Sequence, residues 1–428
     1  MSVDDDLKAF EEQLKAQAVG ESTPNDTSDL AAFEAQLQNV GQQVVPPNIA
    51  NMPPGSPQKV RIQKNMILSF ISDYSGCGHI RNVFPMNFLN GVFGKNNQLI
   101  NLVSPIWLWQ QDLLLRARTL YFQRQMTPQH FELLSKYKEM QDKFKYKMVW
   151  DIDDFIWGHN EKQGGTKDDG VPSYNFGWPN ITDEVKESSV KIMNLMDTCL
   201  FSTQFLADYA KNELGVKADC KVLPNAIPMY FWGNVMKNDI TERIEKPRVL
   251  YTGSPTHYSN QHKMLGDWDN AWKEWVIKNV KEDKIEFIVM GGLPWFFEEI
   301  KDKIKVVDWV DSFRYHIAVK EQKAHFGIMP LVPNNFNHGK SDIKYIEHSA
   351  DGVVALGSIF TNGKPSPYDN CEVTVPDNVS VQDIDDIFWP LTEPENFNKV
   401  KNAQYNKLNN EARFIEHPEY VKYLTSLI

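Results

Sequence analysis

Long apolar runs are absent from this 428-residue chain. No eighteen consecutive apolar side chains occur, so no stretch is read as a membrane-spanning helix. Cysteine is scarce. Cys77, Cys199, Cys220 and Cys371 are scattered without a C-x-x-C pair, which fits neither a zinc site nor a disulfide framework. The opening residues MSVDDDLKAF are acidic where a secretory signal would be basic, and a cytoplasmic location is the expectation. Basic residues are outnumbered, giving a net charge of −11, but the deficit is uneven. Residues 1–57 hold nine acids against two lysines, whereas residues 58–225 hold twenty basic against eighteen acidic side chains. Charge therefore does not exclude a polyanionic partner. What is present, 42% hydrophobic residues over this length, suffices for two domains with sizeable cores.

The first forty residues carry an imperfect repeat. DLKAFEEQL at 6–14 returns as DLAAFEAQL at 29–37, each placing Leu, Phe and Leu at i, i+3 and i+7 of a short amphipathic helix. Polar, proline-containing spacers follow both copies, so residues 1–57 read as a flexible tail. The repeats either dock loosely on their own protein or form a duplicated docking peptide for a protein partner. From Val60 onward strand-like and helical runs alternate. MILSFIS, INLVSP, TLYFQRQ, VWDID, TCLFS and CKVLPN make up the first half; VLYTGS, IEFIVMGG, IKVVDWV, FGIMPLV and VVALGS the second. This alternation predicts an α/β protein with two doubly wound, Rossmann-like parallel sheets facing a cleft. The expected boundaries are 58–228 for the first domain, 229–246 for a linker, 247–395 for the second domain and 396–428 for a terminal helix. Within the first domain, residues 158–180 form a long polar loop.

Chemistry concentrates in residues 336–358, FNHGKSDIKYIEHSADGVVALGS. Lys340, Lys344 and Glu347, spaced by four and three, are expected on one face of one helix. Amides at a helix start favour anions, and two lysines there can neutralise a diphosphate. A carboxylate further along can accept hydrogen bonds from a vicinal diol. The set suits a sugar nucleotide; a solvated amphipathic face is the plainer alternative. Gly76, Gly78 and His79 follow the first core strand and open a helix, where glycines let backbone approach a ligand. Asp151, Asp153 and Asp154 end a strand where open sheets build sites; a turn cap or a cation site are the competing readings. Gly253, Ser254, Thr256 and His257 follow the first strand of the second half, placed to touch phosphates.

These segments resemble the retaining GT-B glycosyltransferases of the family 4 type, in the subgroup with a K-S-D-x-K-[YF]-x-E run. The resemblance rests on SGCGHIRNVFP (75–85), VWDIDDFIW (149–157), VLPNAIP (222–228), VLYTGSPTHYSN (249–260) and KSDIKYIE (340–347), in that order. It implies the GT-B fold, a nucleotide-sugar donor with UDP as default, retention of configuration, no metal, and a terminal segment crossing back to the first domain. Donor binding would fall to Gly76, Gly78, Gly253, Ser254, Thr256, His257, Lys340, Ser341, Lys344 and Glu347. Glu347 would hold the ribose diol, while the lysines offset diphosphate charge; Asp153, Asp154 and His79 would face the reacting groups. One departure stands out. Many members carry a Glu-x7-Glu pair, and its first position here is Gly339.

The Gly76-Cys77-Gly78 triplet is also similar to that of phage DNA alpha-glucosyltransferases. This ranks a hydroxylated pyrimidine of phage DNA first among acceptors, with host cytoplasm as the location. Arg116, Arg118, Arg124 and the Lys136–Lys147 series, with Trp107 and Trp109, would meet it. A cell-surface glycan, lipid-linked sugar or protein acceptor is the second reading. A non-catalytic GT-B module recruited through its tail is the third.

Overall fold

A computed structural model describes residues 66–72, 76–93, 100–103, 111–157, 182–233, 238–254, 257–260, 263 and 265–428. The repeats at 6–14 and 29–37, the loop at 158–180, Thr256, Trp107 and Trp109 lie outside the described residues.

Two six-stranded sheets, parallel throughout, form the frame. The first contains β1 (Met66–Phe70), β2 (Ile100–Val103), β3 (Ala117–Gln123), β4 (Lys147–Ile152), β5 (Thr198–Phe201) and β6 (Asp219–Val222), in the spatial order β2-β1-β3-β4-β5-β6. The second contains β7 (Arg248–Thr252), β8 (Glu286–Met290), β9 (Lys305–Val307), β10 (Phe326–Met329), β11 (Val354–Ile359) and β12 (Thr374–Pro376), in the order β12-β11-β10-β7-β8-β9. The α-helices of at least seven residues are numbered α1 (Phe84–Phe93), α2 (Pro128–Phe144), α3 (Asp183–Met193), α4 (Gln204–Asn212), α5 (Asn270–Lys281), α6 (Tyr315–Glu321), α7 (Ile343–Ala350), α8 (Val381–Phe388), α9 (Pro394–Asn410) and α10 (Pro418–Leu427). Central strands such as MILSF and KMVWDI read as nearly unbroken apolar runs because helices cover both faces of a parallel sheet. The Trp272 and Trp275 pair on α5 illustrates the packing. Both indoles are fully buried, and each donates a hydrogen bond, to Ser358 Oγ at 3.1 Å and to Asp385 Oδ1 at 2.8 Å.

The chain passes from the first sheet to the second through Leu223-Pro224-Asn225-Ala226-Ile227-Pro228, and later returns beside that crossing. Ile227 and Phe414 form a parallel bridge, with Ile227 N donating to Arg413 O at 3.0 Å and Ile415 N to Ile227 O at 3.1 Å. Helix α10 then lies along the first sheet, where Tyr423 Oη donates to Val222 O at 2.7 Å and Lys147 Nζ to Leu427 O at 2.5 Å. The stretch 396–428 is thus two helices, not one. Ala412 adopts a left-handed φ of 52°, and Pro418, which has no N–H to donate, opens α10. The extended break between them carries Arg413.

Candidate active site

The C-terminal ends of the strands from both sheets converge on a cavity of about 830 Å³, within the range of small-molecule sites. Of the residues singled out in the sequence, Gly76, His79, Asp153, Asp154, Gly253, Ser254, His257, Lys340, Ser341, Lys344 and Glu347 line it. Gly78 does not; it is buried behind the wall.

Lys340 is not on the helix, contrary to the spacing argument. Helix α7 begins only at Ile343, and the tripeptide Lys340-Ser341-Asp342 runs ahead of it, held by a separate anchor at each residue. Lys340 Nζ pairs with Asp267 Oδ2 at 2.6 Å and sits 3.2 Å from His257 Nδ1. Ser341 Oγ accepts from Asn225 Nδ2 at 2.7 Å. Asp342 binds both terminal nitrogens of Arg413, one at 2.8 Å. These anchors override helical continuation. The lysines still reach the same cavity, because a residue just before a helix and one in its first turn project to one end.

The electrostatics on this wall are uneven. Asp267 is buried, yet Lys340 and His257 hold its carboxyl well below the usual range despite that burial. Burial, then repulsion from Lys344 and Lys340, pushes His257 down to about 3, so its imidazole is neutral at pH 7. Its Nδ1 lies 2.5 Å from Asp267 Oδ2 and is therefore the donor nitrogen. Lys344 has no ion-pair or hydrogen-bond partner among the described residues. Its ammonium rests 5.3 Å from the Tyr251 ring centroid, and burial beside Lys340 lowers it to about 8. Glu347 is buried with Tyr315 Oη donating to its Oε2 at 3.2 Å. Burial raises it to about 8, against the opposing pull of Tyr315 and Lys344. The wall thus contains a spare cation and a carboxyl that is mostly protonated at neutral pH.

A stability contrast follows. Lys340→Met strands Asp267 in the interior and is expected to cost about 3 kcal/mol, whereas Lys344→Met removes an unpaired, desolvated charge and is expected to raise the melting temperature at pH 7. Melting curves of the two variants without ligand check this; equal destabilisation contradicts it.

Backbone completes the wall. A Cβ on Gly253 would stand 2.4 Å from the Tyr251 hydroxyl, so no side chain fits there. Gly291, at φ +107°, presses on the Gly253 carbonyl, which a Cβ would approach to 2.7 Å. Gly253 N itself donates to Met290 O at 2.9 Å, and with no side chain at Gly253 the chain after β7 meets the cavity as bare backbone.

Across the cleft, Asp153 and Asp154 are both held by Arg124, whose Nη2 lies 2.5 Å from Asp153 Oδ1 and 2.5 Å from Asp154 Oδ2. Burial raises Asp154, with Arg124 opposing. The Cys77 thiol is 3.9 Å from Asp154 Oδ2. Cys77, Asp153 and Asp154 have the donor types of a metal site. One guanidinium nitrogen, however, already pairs with both carboxylates. Arg124, expected to face a polyanion, is in fact neutralised. Asp151 turns away to Arg81, whose Nε lies 3.0 Å from Asp151 Oδ1 while Nη1 donates to Asn225 Oδ1 at 2.9 Å. His79 packs edge-on against Phe313, centroids 4.8 Å apart. His130 caps α2 together with Thr127 and is lowered by burial to about 4.

The other basic residues read as acceptor contacts do not gather at the cavity. Arg118 and Lys147 begin β3 and β4, at the edge opposite the strand ends that form the site. Lys138 and Lys145 pair with Asp197 and Asp142. What the cleft does present is aromatic. Trp309, 66% exposed, lies on its rim with Phe231 and His316, and Tyr230 beside them is 59% exposed.

Gly339 explains the missing first glutamate. A Cβ there would fall 2.8 Å from Phe155 Cβ and 2.9 Å from Leu206 Cδ2, both on the opposing domain. Its carbonyl accepts from Thr203 Oγ1 at 3.3 Å. The two domains touch where the family pattern has a side chain.

Asp267, Tyr315, Asn225 and Arg413 were not singled out from the sequence. Asp267 and Tyr315 sit in stretches with no motif, and Asn225 was read only as part of a structural crossing.

No protein-family model matches the chain, and comparison with curated proteins gives no match. Solved structures do match. A glycosyltransferase from Rickettsia africae aligns over 85% of this chain and 97% of its own, at 12% identity and a TM-score of 0.53. Anabaena HepE in complex with UDP aligns over 85% and 100%, at 8% identity and 0.51. Sucrose-phosphate synthase from Thermosynechococcus elongatus aligns over 85% and 98%, at 9% identity and 0.52.

Proposed function

We propose that this chain, which has the GT-B fold of those structures, is a retaining glycosyltransferase using a nucleotide-activated sugar, UDP-linked by default. One observation carries the reading. Lys340, Lys344 and Glu347 meet Gly253 and Ser254 in a single cavity between two Rossmann-like sheets. A diphosphate there finds a cation with no competing carboxylate, Lys344, and one shared with Asp267, Lys340. Glu347 accepts from the ribose diol. As the sugar–phosphate bond breaks, charge grows on the departing diphosphate, and the two ammonium groups stabilise it there. With the leaving group held on that side, the acceptor hydroxyl attacks from the same face, and the departing diphosphate takes its proton. That the solved HepE structure holds UDP supports the default nucleotide.

A hydroxylated pyrimidine of DNA keeps the support of the Gly76-Cys77-Gly78 turn and loses that of the basic residues. The exposed Trp309 and Tyr230 favour the second reading, a glycan acceptor, because sugar rings stack on aromatic faces. Melting the protein with UDP, GDP, ADP, CMP and their sugars tests the donor. A nucleotide at 100 times its Kd shifts stability by about 2.7 kcal/mol, and the shift is expected to vanish in Glu347→Ala. No shift with any of them removes the donor site. Transfer of labelled sugar to hydroxymethylated DNA, set beside neutral oligosaccharides, then ranks the acceptors, and NMR of the product anomer tests retention.

A further inference from the structure

We propose that Arg413 is a positioning residue for the donor-side lysines, acting through Asp342; the inference rests on the donor-site reading above. Arg413 lies outside the cavity, on the extended break between α9 and α10, and is only 8% exposed. Its side chain is fully committed. Nε donates to Asn225 O at 2.9 Å, and the two terminal nitrogens form a fork on the Asp342 carboxylate. Its own backbone is tied as well, with the Arg413 carbonyl accepting from Ile227 N at 3.0 Å. The guanidinium therefore reports the position of the crossing strand to one point on the second domain.

That point sets the site. Asp342 immediately precedes α7, and its carbonyl accepts the helical bond from Ile346 N at 3.1 Å. Where Asp342 is held, α7 begins, and the direction of Lys344 in its first turn follows from that start, whereas Glu347 further along is held separately by Tyr315 Oη. Upstream, Ser341 is fastened to Asn225, the same residue whose carbonyl binds Arg413 and whose side chain binds Arg81. Asn225 and Arg413 thus make a rigid bracket on which Ser341 and Asp342 hang, leaving Lys340 and Lys344 directed at one place. A fork of two parallel hydrogen bonds fixes orientation as well as distance, which a single ammonium cannot do.

The test compares wild type, Arg413→Lys, Asp342→Asn and the exchanged pair Asp342→Arg with Arg413→Asp, each first shown to be folded by circular dichroism and melting. Affinities are measured calorimetrically for UDP, GDP, ADP, inorganic pyrophosphate and the corresponding nucleosides. Both single variants are expected to bind the best nucleoside diphosphate, and pyrophosphate, about tenfold more weakly. Binding of the nucleoside, which makes no use of the lysines, is expected to stay within about twofold, and the exchanged pair is expected to recover part of the loss. Should Arg413→Lys fail to fold, Asp342→Asn removes the same link without altering the crossing. Variants that bind the diphosphate like wild type overturn the inference. So does an equal loss for nucleoside and diphosphate, which marks general loosening. Wild type that binds none of these probes overturns the donor-site reading itself, and this inference with it.

Discussion

Glu347→Gln is expected to lower kcat/KM for nucleotide-sugar turnover by about 100-fold while making the ligand-free protein more stable in alkali. The loss corresponds to about 2.7 kcal/mol, in the range for a hydrogen bond to a charged group. The gain follows from linkage. In the folded protein Glu347 is raised from its ordinary 4.5 to about 8, by burial first. The folded state therefore binds its proton more tightly than the unfolded chain does. That stability is fully present below pH 4.5 and is lost as the pH rises through 8, by on the order of 5 kcal/mol. Glutamine, which never ionises, escapes the loss. Urea titrations at pH 6 and pH 9 should therefore show wild type weakening more than the variant. A variant with wild-type turnover, or a parallel decline with pH, contradicts the assignment.

The same pair of groups gives nucleotide binding a proton signature. A ribose diol is held best by the ionised carboxylate, and a diphosphate by the charged ammonium. Both Glu347 and Lys344 sit near 8 without ligand. Below that pH Glu347 still has its proton and releases it on binding; above it Lys344 has lost its own and takes one up. A nucleotide sugar, whose diphosphate diester has fixed charge, should bind with proton release at pH 7 and uptake at pH 9. Calorimetry in buffers of different ionisation heat reads the sign directly, and no reversal means the two groups do not both meet the ligand.

Gly339→Glu restores the family's missing carboxylate on paper and is expected to fail in the protein. Its Cβ alone would stand 2.8 Å from Phe155 Cβ, and Phe155 and Leu206 are both buried in the first domain's core. Overpacking a single methylene costs about 1–3 kcal/mol, and a glutamate brings more bulk together with a charge. The substitution is expected to hold the domains apart and to weaken nucleotide binding at least tenfold, with Gly339→Ala showing the same direction more mildly. Melting curves and UDP titrations check it. Gly339→Glu binding like wild type would mean that the contact with Phe155 is not needed for donor capture.

The fold was legible because both of its signals are local. Apolar runs such as VLYTGS and VVALGS can only be buried strands, and the helical stretches between them dictate parallel order. Much of the donor wall was legible for the same reason, since Lys340, Ser341, Lys344 and Glu347 are close in the chain. What could not be read is what distant segments do to them. Asp267 is 73 residues from Lys340, and nothing in its neighbourhood marks it as the partner that ties up one of the two lysines. Arg413 was hidden by a helical pattern on either side of it. Arg124 looked like a free positive charge until the fold set it against Asp153 and Asp154. In each case the missing information was pairing, which is a property of the folded chain and not of any window of it.

The parallel bridge between Ile227 and Phe414 has a mechanical consequence. It lays the two covalent connections between the domains side by side, a strand's width apart. Two tethers so placed define one axle. Twisting the domains about any other direction would shear the hydrogen bonds that zip the tethers together, whereas swinging about the axle leaves them intact. Any opening of the cleft that keeps these bonds is therefore a swing about that one axle, like a book on its spine, and one pair of probes set across its mouth would follow it.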